Sequence, residues 1–151
     1  MTSCNLAPVQ PTGEARQLEL AGIRFGFPDV PLPDLHITLP GPDVPAEAAR
    51  FSGVWTGVWD ETHNPLNHIL VVERLRRTSD GVEAVVIYAF GVRQVSKPGW
   101  LRAKGTINDG RLVVHLPPDR RVTYDLRDDS LQASFSSPRM LAWARMRRQP
   151  L

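Results

Sequence analysis

The stretch richest in groups that could do chemistry is Asp60-Glu61-Thr62-His63-Asn64-Pro65-Leu66-Asn67-His68. Imidazoles and carboxylates are common metal ligands, so Asp60, Glu61, His63 and His68 are weighed first as a metal set. Their spacing matches no recognised site, and a solvated loop accounts for the same residues. No metal and no cofactor are expected. Tyr88 and Tyr124 fall on apolar faces of two strands, where a buried hydroxyl needs a partner. They read either as ligand-contacting hydroxyls inside a cavity or as core residues bonded to backbone carbonyls. Glu73 shares a period-two face with Ile69, Val71 and Leu75. Facing inward, it would be a buried carboxylate able to act as general acid or base, with Tyr88 beside it as the other catalytic candidate. Unpaired buried charges are rare, which favours the outer face and an ordinary surface charge. Trp59 and Trp100 stand at strand ends, where each could rim a mouth and stack on a ligand. With His68 and the two tyrosines they form the candidate ligand-binding set. His115 falls on a polar face. No nucleophile elbow, phosphate-cradling glycine loop or Ser–His–Asp order is present, and Ser52 lacks the strand–turn–helix setting.

These residues must be positioned by strands. From Phe51 onward, short alternating segments are separated by turn residues, and no helix-length period appears. The expected strands are 54–60, 68–76, 82–90, 100–107, 111–116, 121–126, 131–135 and 140–147. Asp80-Gly81, Asn108-Asp109-Gly110 and Asp128-Asp129 mark tight turns. Leu112, Val114 and Leu116 alternate with Arg111 and His115; Val122, Tyr124 and Leu126 alternate with Arg121, Thr123 and Asp125. One apolar and one wet face is the pattern of a half-buried antiparallel sheet. Eight strands in a meander leave two exposed edges unless they close, and eight is the usual number for a small barrel. The fold class expected is therefore all-β: an eight-stranded antiparallel up-and-down barrel at 51–148.

Ahead of it, eight of the chain's fourteen prolines lie before residue 50. Proline lacks a ladder donor and breaks helices. Residues 1–16 read as a flexible tail and 17–50 as an arm that packs on the barrel, with one strand at 17–27 and a helical turn at 46–50. The second and third barrel strands are apolar on both faces (Ile69-Leu70-Val71-Val72 and Val85-Val86-Ile87), so something must cover their outer side. The arm is the expected cover.

Composition narrows the function classes. The chain has 151 residues, 42% hydrophobic and 23% charged, with a formal net charge of +2. That suits one globular domain with a real core. The basic residues are spread among acids rather than gathered on one element, which argues against a nucleic-acid partner. No apolar run is long enough for a membrane-spanning helix. The single cysteine, Cys4, excludes an internal disulfide. Met1-Thr2-Ser3-Cys4 has two readings: an incidental cysteine in a cytoplasmic protein, or the trimmed end of a lipoprotein signal placing a lipidated Cys4 in the periplasm.

Phe51-Ser52-Gly53-Val54-Trp55 resembles the Gly-x-Trp opening of the first strand in lipocalins and related calycins. Avidins and nitrobindins open similarly, and the whole pattern is similar to small bacterial calycin-like domains of unassigned role. A second Gly57-x-Trp59 follows at once, and the typical disulfide and C-terminal helix are absent. The resemblance implies a calycin-like barrel whose Trp55 plugs one end, with a basic residue from the last strand, Arg145 or Arg147, packed across it by a cation–π contact.

The leading functional reading is non-enzymatic binding of a small hydrophobic molecule in the barrel interior. Whether the protein is an enzyme is left open: the alternative is a barrel cyclase or isomerase acting on a hydrophobic molecule. A third reading is a structural or interaction domain, with a homodimer formed through the arm. The size and lining of the interior discriminate among them.

Overall fold

The computed structural model describes residues 17–20, 25–60, 63–93 and 97–151. A short hairpin comes first, β1 (Gln17–Leu20) against β2 (Leu35–Thr38). One helical turn, α1 (Ala46–Ala49), leads into eight strands. These are β3 (Gly53–Trp59), β4 (Leu66–Thr78), β5 (Gly81–Phe90), β6 (Gly99–Asn108), β7 (Arg111–Leu116), β8 (Arg120–Arg127), β9 (Ser130–Ser136) and β10 (Leu141–Gln149). Each pairs antiparallel with its chain neighbour, and β10 returns to β3 to close the barrel. The seam registers Arg148 against Trp55 and Gln149 against Val54. Asp109 and Gly110 both take positive φ, as a two-residue turn between twisted strands requires. The expected all-β, eight-stranded up-and-down barrel is the observed architecture.

The arm differs in detail. β1 is only four residues long, and Phe25 and Gly26 both have positive φ, so no strand runs through to Phe27. The unexpected strand is β2. Pro33 and Pro40 flank it, leaving a proline-free run whose Leu35 and Ile37 point down and whose His36 points out. Val30, Leu35 and Ile37 are buried against Val54, Ile69, Val71, Ile87 and Ala89 on the barrel's outer face. That contact explains why β4 and β5 are apolar on both sides.

A bulge in β4 resets the face of Glu73. Val72 pairs with Val86 and Arg74 with Val85, leaving Glu73 as the extra residue. Ile69 and Val71 face outward under the arm, whereas Leu75 faces the barrel core. The single face expected to carry Ile69, Val71, Glu73 and Leu75 is therefore split. Glu73 is on the outer side, but it is not an ordinary surface charge. It is only 5% exposed. It pairs with Arg102 at 2.8 Å and accepts the His36 backbone N–H at 3.3 Å, which ties β2 to the barrel.

One end of the barrel is plugged. Trp55 is fully buried and its indole N–H donates to the Phe51 carbonyl at 2.9 Å. The cation over it is Arg148, 4.2 Å from the ring centroid, rather than Arg145 or Arg147. Strand parity is the reason: residues 142, 144, 146 and 148 face inward, so Arg145 and Arg147 are exposed. Arg148 also donates to the Ser52 carbonyl at 3.0 Å and to the Arg50 carbonyl.

Between the two tryptophans of β3, Gly57 lets β10 approach. A Cβ there would lie 2.5 Å from both the Arg145 carbonyl oxygen and Met146 Sδ. Overpacking of this kind costs about 1–3 kcal/mol. A Gly57→Ala variant is expected to lose roughly that in urea unfolding, and an unchanged midpoint would contradict the tight seam.

Candidate functional site

In an up-and-down barrel, alternate turns fall at the same end. The strand ends at Trp59, Leu66, Phe90, Gly99, Leu116, Arg120, Ser136 and Leu141 share the end opposite Trp55. A cavity of about 190 Å³ opens there. Its lining comes from nearly every strand: Trp59 ends β3, Leu66 begins β4, Tyr88 and Phe90 end β5, and Arg120 begins β8. Phe135, Met140, Ala142 and the loop residue Arg93 complete it. Below the cavity, Tyr124, Leu70, Leu112, Leu131 and Met146 fill the interior. The barrel's middle is filled by side chains, and this mouth is hollow.

The floor is a polar–aromatic stack. His68 is wholly buried, 5.2 Å from the Trp59 ring and 4.4 Å from the Tyr88 ring. Its Nδ1 lies 2.7 Å from the Ala89 carbonyl oxygen, which can only accept, so Nδ1 carries the proton. Nε2 then accepts from the Tyr124 hydroxyl at 2.9 Å. Burial lowers the His68 pKa to about 4, with the bond to Ala89 opposing, so the imidazole is neutral near pH 7. Both tyrosines are held protonated. Burial is the main cause in each, reinforced at Tyr124 by Tyr88 and partly offset at Tyr88 by Trp59, Arg120 and Arg93. Although Trp59 influences the Tyr88 hydroxyl, its own Nε1 makes no hydrogen bond of normal geometry.

The loop bearing Arg93 is anchored by the arm. Asp29 accepts from the Asn67 amide at 2.9 Å and from the Val92 backbone N–H at 3.1 Å. The Asn67 hydrogen bond holds the Asp29 carboxyl below its usual range, against a smaller opposing effect of burial. Gly91 admits this contact, since a Cβ there would collide with the Asp29 carboxylate.

The sequence candidates thus separate into three groups. Trp59 and Tyr88 line the cavity, and His68 and Tyr124 form the layer beneath it. Trp100 and Glu73 lie on the outer face, Trp100 40% exposed with Arg102 at 5.7 Å and registered against outward-facing Ala89. His63 and Asp60 face each other at 3.5 Å on the surface, while His68 points into the barrel. Glu61 lies outside the described residues. Among the described residues, no three His, Cys, Asp or Glu side chains come together to hold a metal, and no helix is long and apolar enough to cross a membrane. Cys4 and the rest of the 1–16 segment also lie outside the described residues. Sequence reasoning missed Arg93, Arg120, Phe90, Phe135, Met140 and Ala142. The available signal was their position beside alternate turns, which a meander brings to one end.

Fold and site together define a closed eight-stranded antiparallel barrel, consistent with a calycin-like fold, with an apolar cavity at its open mouth. Compared with models of known protein families, with curated proteins and with solved structures, the chain matches none.

Proposed function

We propose that this calycin-like barrel binds a small, mainly apolar molecule at its open mouth, without catalysing a reaction. The observation that carries this is the cavity of about 190 Å³ walled by Trp59, Leu66, Tyr88, Phe90, Phe135, Met140 and Ala142. An apolar cavity of roughly 150 Å³ accepts a benzene ring. Sites for drug-sized molecules run to about 300–1,000 Å³. The ligand is therefore of one-ring size, smaller than a cyclase substrate folded inside a barrel would be. The catalytic candidates do not favour the enzyme reading. Glu73 is engaged by Arg102 outside the barrel, and both nitrogens of His68 are occupied. A homodimer through Val30, Leu35 and Ile37 would require the arm to leave the barrel that buries them.

A thermal-shift and calorimetric screen with indole, toluene, cinnamate and cinnamamide tests the reading. Ligand at a hundred times its Kd stabilises the folded chain by about 2.7 kcal/mol, a shift that is easily read. Ala142→Phe places a ring in the cavity and is expected to abolish the shift while circular dichroism shows an intact fold. Equal binding by that variant, or no shift with any compound, would refute the proposal.

A further inference from the structure

The cavity's apolar wall is interrupted by two cations. Arg93 and Arg120 both border it. Among the described residues, neither pairs with a carboxylate. Arg93 Nε and Nη2 and Arg120 Nε are shielded from solvent and have no acceptor. Arg120 uses only Nη2, which donates to the Pro117 carbonyl at 2.6 Å. Trp59 Nε1, on the same cavity, is also buried and is directed to the Tyr88 hydroxyl rather than left for a ligand.

Shielded donors left unsatisfied destabilise a fold, and such groups in native proteins call for an explanation. The contrast with the other arginines is informative. Arg76, Arg102 and Arg111 each face a carboxylate at 2.6–3.0 Å, and Arg148 caps two carbonyls. Arg93 and Arg120 alone combine cavity lining with shielded, unpartnered N–H groups among the described residues. Three such guanidinium donors belong to residues that border the cavity. An acceptor-rich, negatively charged group satisfies all of these conditions, and guanidinium forks match carboxylate geometry. The other lining residues Phe90, Phe135, Met140 and Ala142 suit hydrocarbon.

We infer that the ligand is a small organic carboxylate, its carboxylate held by Arg93 and Arg120 and its one-ring or short-chain body seated against Phe90, Phe135 and Ala142. This rests on the cavity being a ligand site, and it assigns the ligand's chemical class. Inorganic phosphate has the charge without the body and is expected to bind far more weakly than an aryl carboxylate.

The experiment is calorimetric titration of the full chain with benzoate, cinnamate and octanoate, each beside its neutral amide, and with inorganic phosphate. At least one carboxylate should bind about tenfold or more tightly than its amide, since hydrogen bonds to charged groups contribute more than neutral ones. The advantage should shrink as salt is raised. Arg93→Gln and Arg120→Gln should each reduce the carboxylate-to-amide affinity ratio about tenfold. Lysine at either position should retain part of the ratio. The melting temperature of unliganded Arg93→Gln should equal or exceed that of the parent, because shielded donors without an acceptor have been removed. Amides that bind as tightly as carboxylates, or a ratio that survives both glutamine variants, would overturn the assignment and leave the apolar-ligand reading standing. Failure of every compound to bind would overturn both.

Discussion

Replacing Trp55 with alanine is expected to lower the unfolding free energy by about 4 kcal/mol, the typical cost of truncating a fully buried indole. The loss has three parts. The ring leaves a cavity beneath Phe51, since both side chains are completely buried at the plugged end. The Phe51 carbonyl loses the indole N–H that it accepts at 2.9 Å. Arg148 loses the aromatic face beneath its guanidinium, 4.2 Å away. A cation over an indole contributes about 1–2 kcal/mol when partly desolvated. Because Arg148 also caps the Ser52 and Arg50 carbonyls beside the β10–β3 seam, its disturbance loosens the closure itself. Trp55→Phe keeps a ring and loses the N–H, and should fall between parent and alanine. Chemical denaturation of the three proteins checks this ordering. An alanine variant within about 1 kcal/mol of the parent would show that the plug does not hold the barrel shut.

Acidification is expected to weaken the barrel through His68. The folded chain protonates this imidazole only near pH 4, because burial opposes the charge. The unfolded chain does so near its ordinary value of about 6.5. Between these limits the unfolded chain binds a proton that the folded chain does not, so stability rises with pH across that window. The full benefit of the neutral imidazole is present above about pH 6.5. It declines as pH falls, and the loss is complete below about pH 4. Its size is about 3 kcal/mol. Protonation would also turn Nε2 from an acceptor into a donor facing the Tyr124 hydroxyl, forcing that hydroxyl to reorient. Unfolding free energies measured from about pH 7 to pH 4 for the parent and for His68→Phe isolate the effect. The carboxylates contribute to both proteins, so the difference between the two curves belongs to His68. A difference that stays constant with pH would mean that the histidine is not held neutral by burial.

The two predictions concern opposite ends of one barrel, and the ends were unequally legible in the sequence. The plugged end was legible through the resemblance of Gly53-Val54-Trp55 to a calycin opening, which implies Trp55 as the plug. Its cation was misread by one residue, because the β10–β3 register aligns Arg148 with Trp55 and only strand pairing fixes that parity. The open end was legible only in part. Trp59, His68, Tyr88 and Tyr124 were singled out as polar or aromatic groups on apolar strands, and they do meet in one stack. Trp100 was grouped with them for its place at a strand end, but register turns it outward against Ala89. Glu73 had two readings on the period-two pattern, and the bulge added a third condition: outside the barrel, yet buried under the arm.

The amino-acid sequence by itself determined the eight barrel strands, their turns and the need for a cover over β4 and β5. These follow from local chemistry: alternation, proline's missing donor and glycine's access to positive φ. Tertiary structure decided which residues become neighbours. The closure of β10 on β3, the β2 strap over Glu73 and the gathering of Arg93, Arg120 and Tyr88 around one cavity depend on register between distant segments. A shift of one residue in register reverses every side chain's face, so local pattern places a residue on a strand without choosing its partner across the barrel.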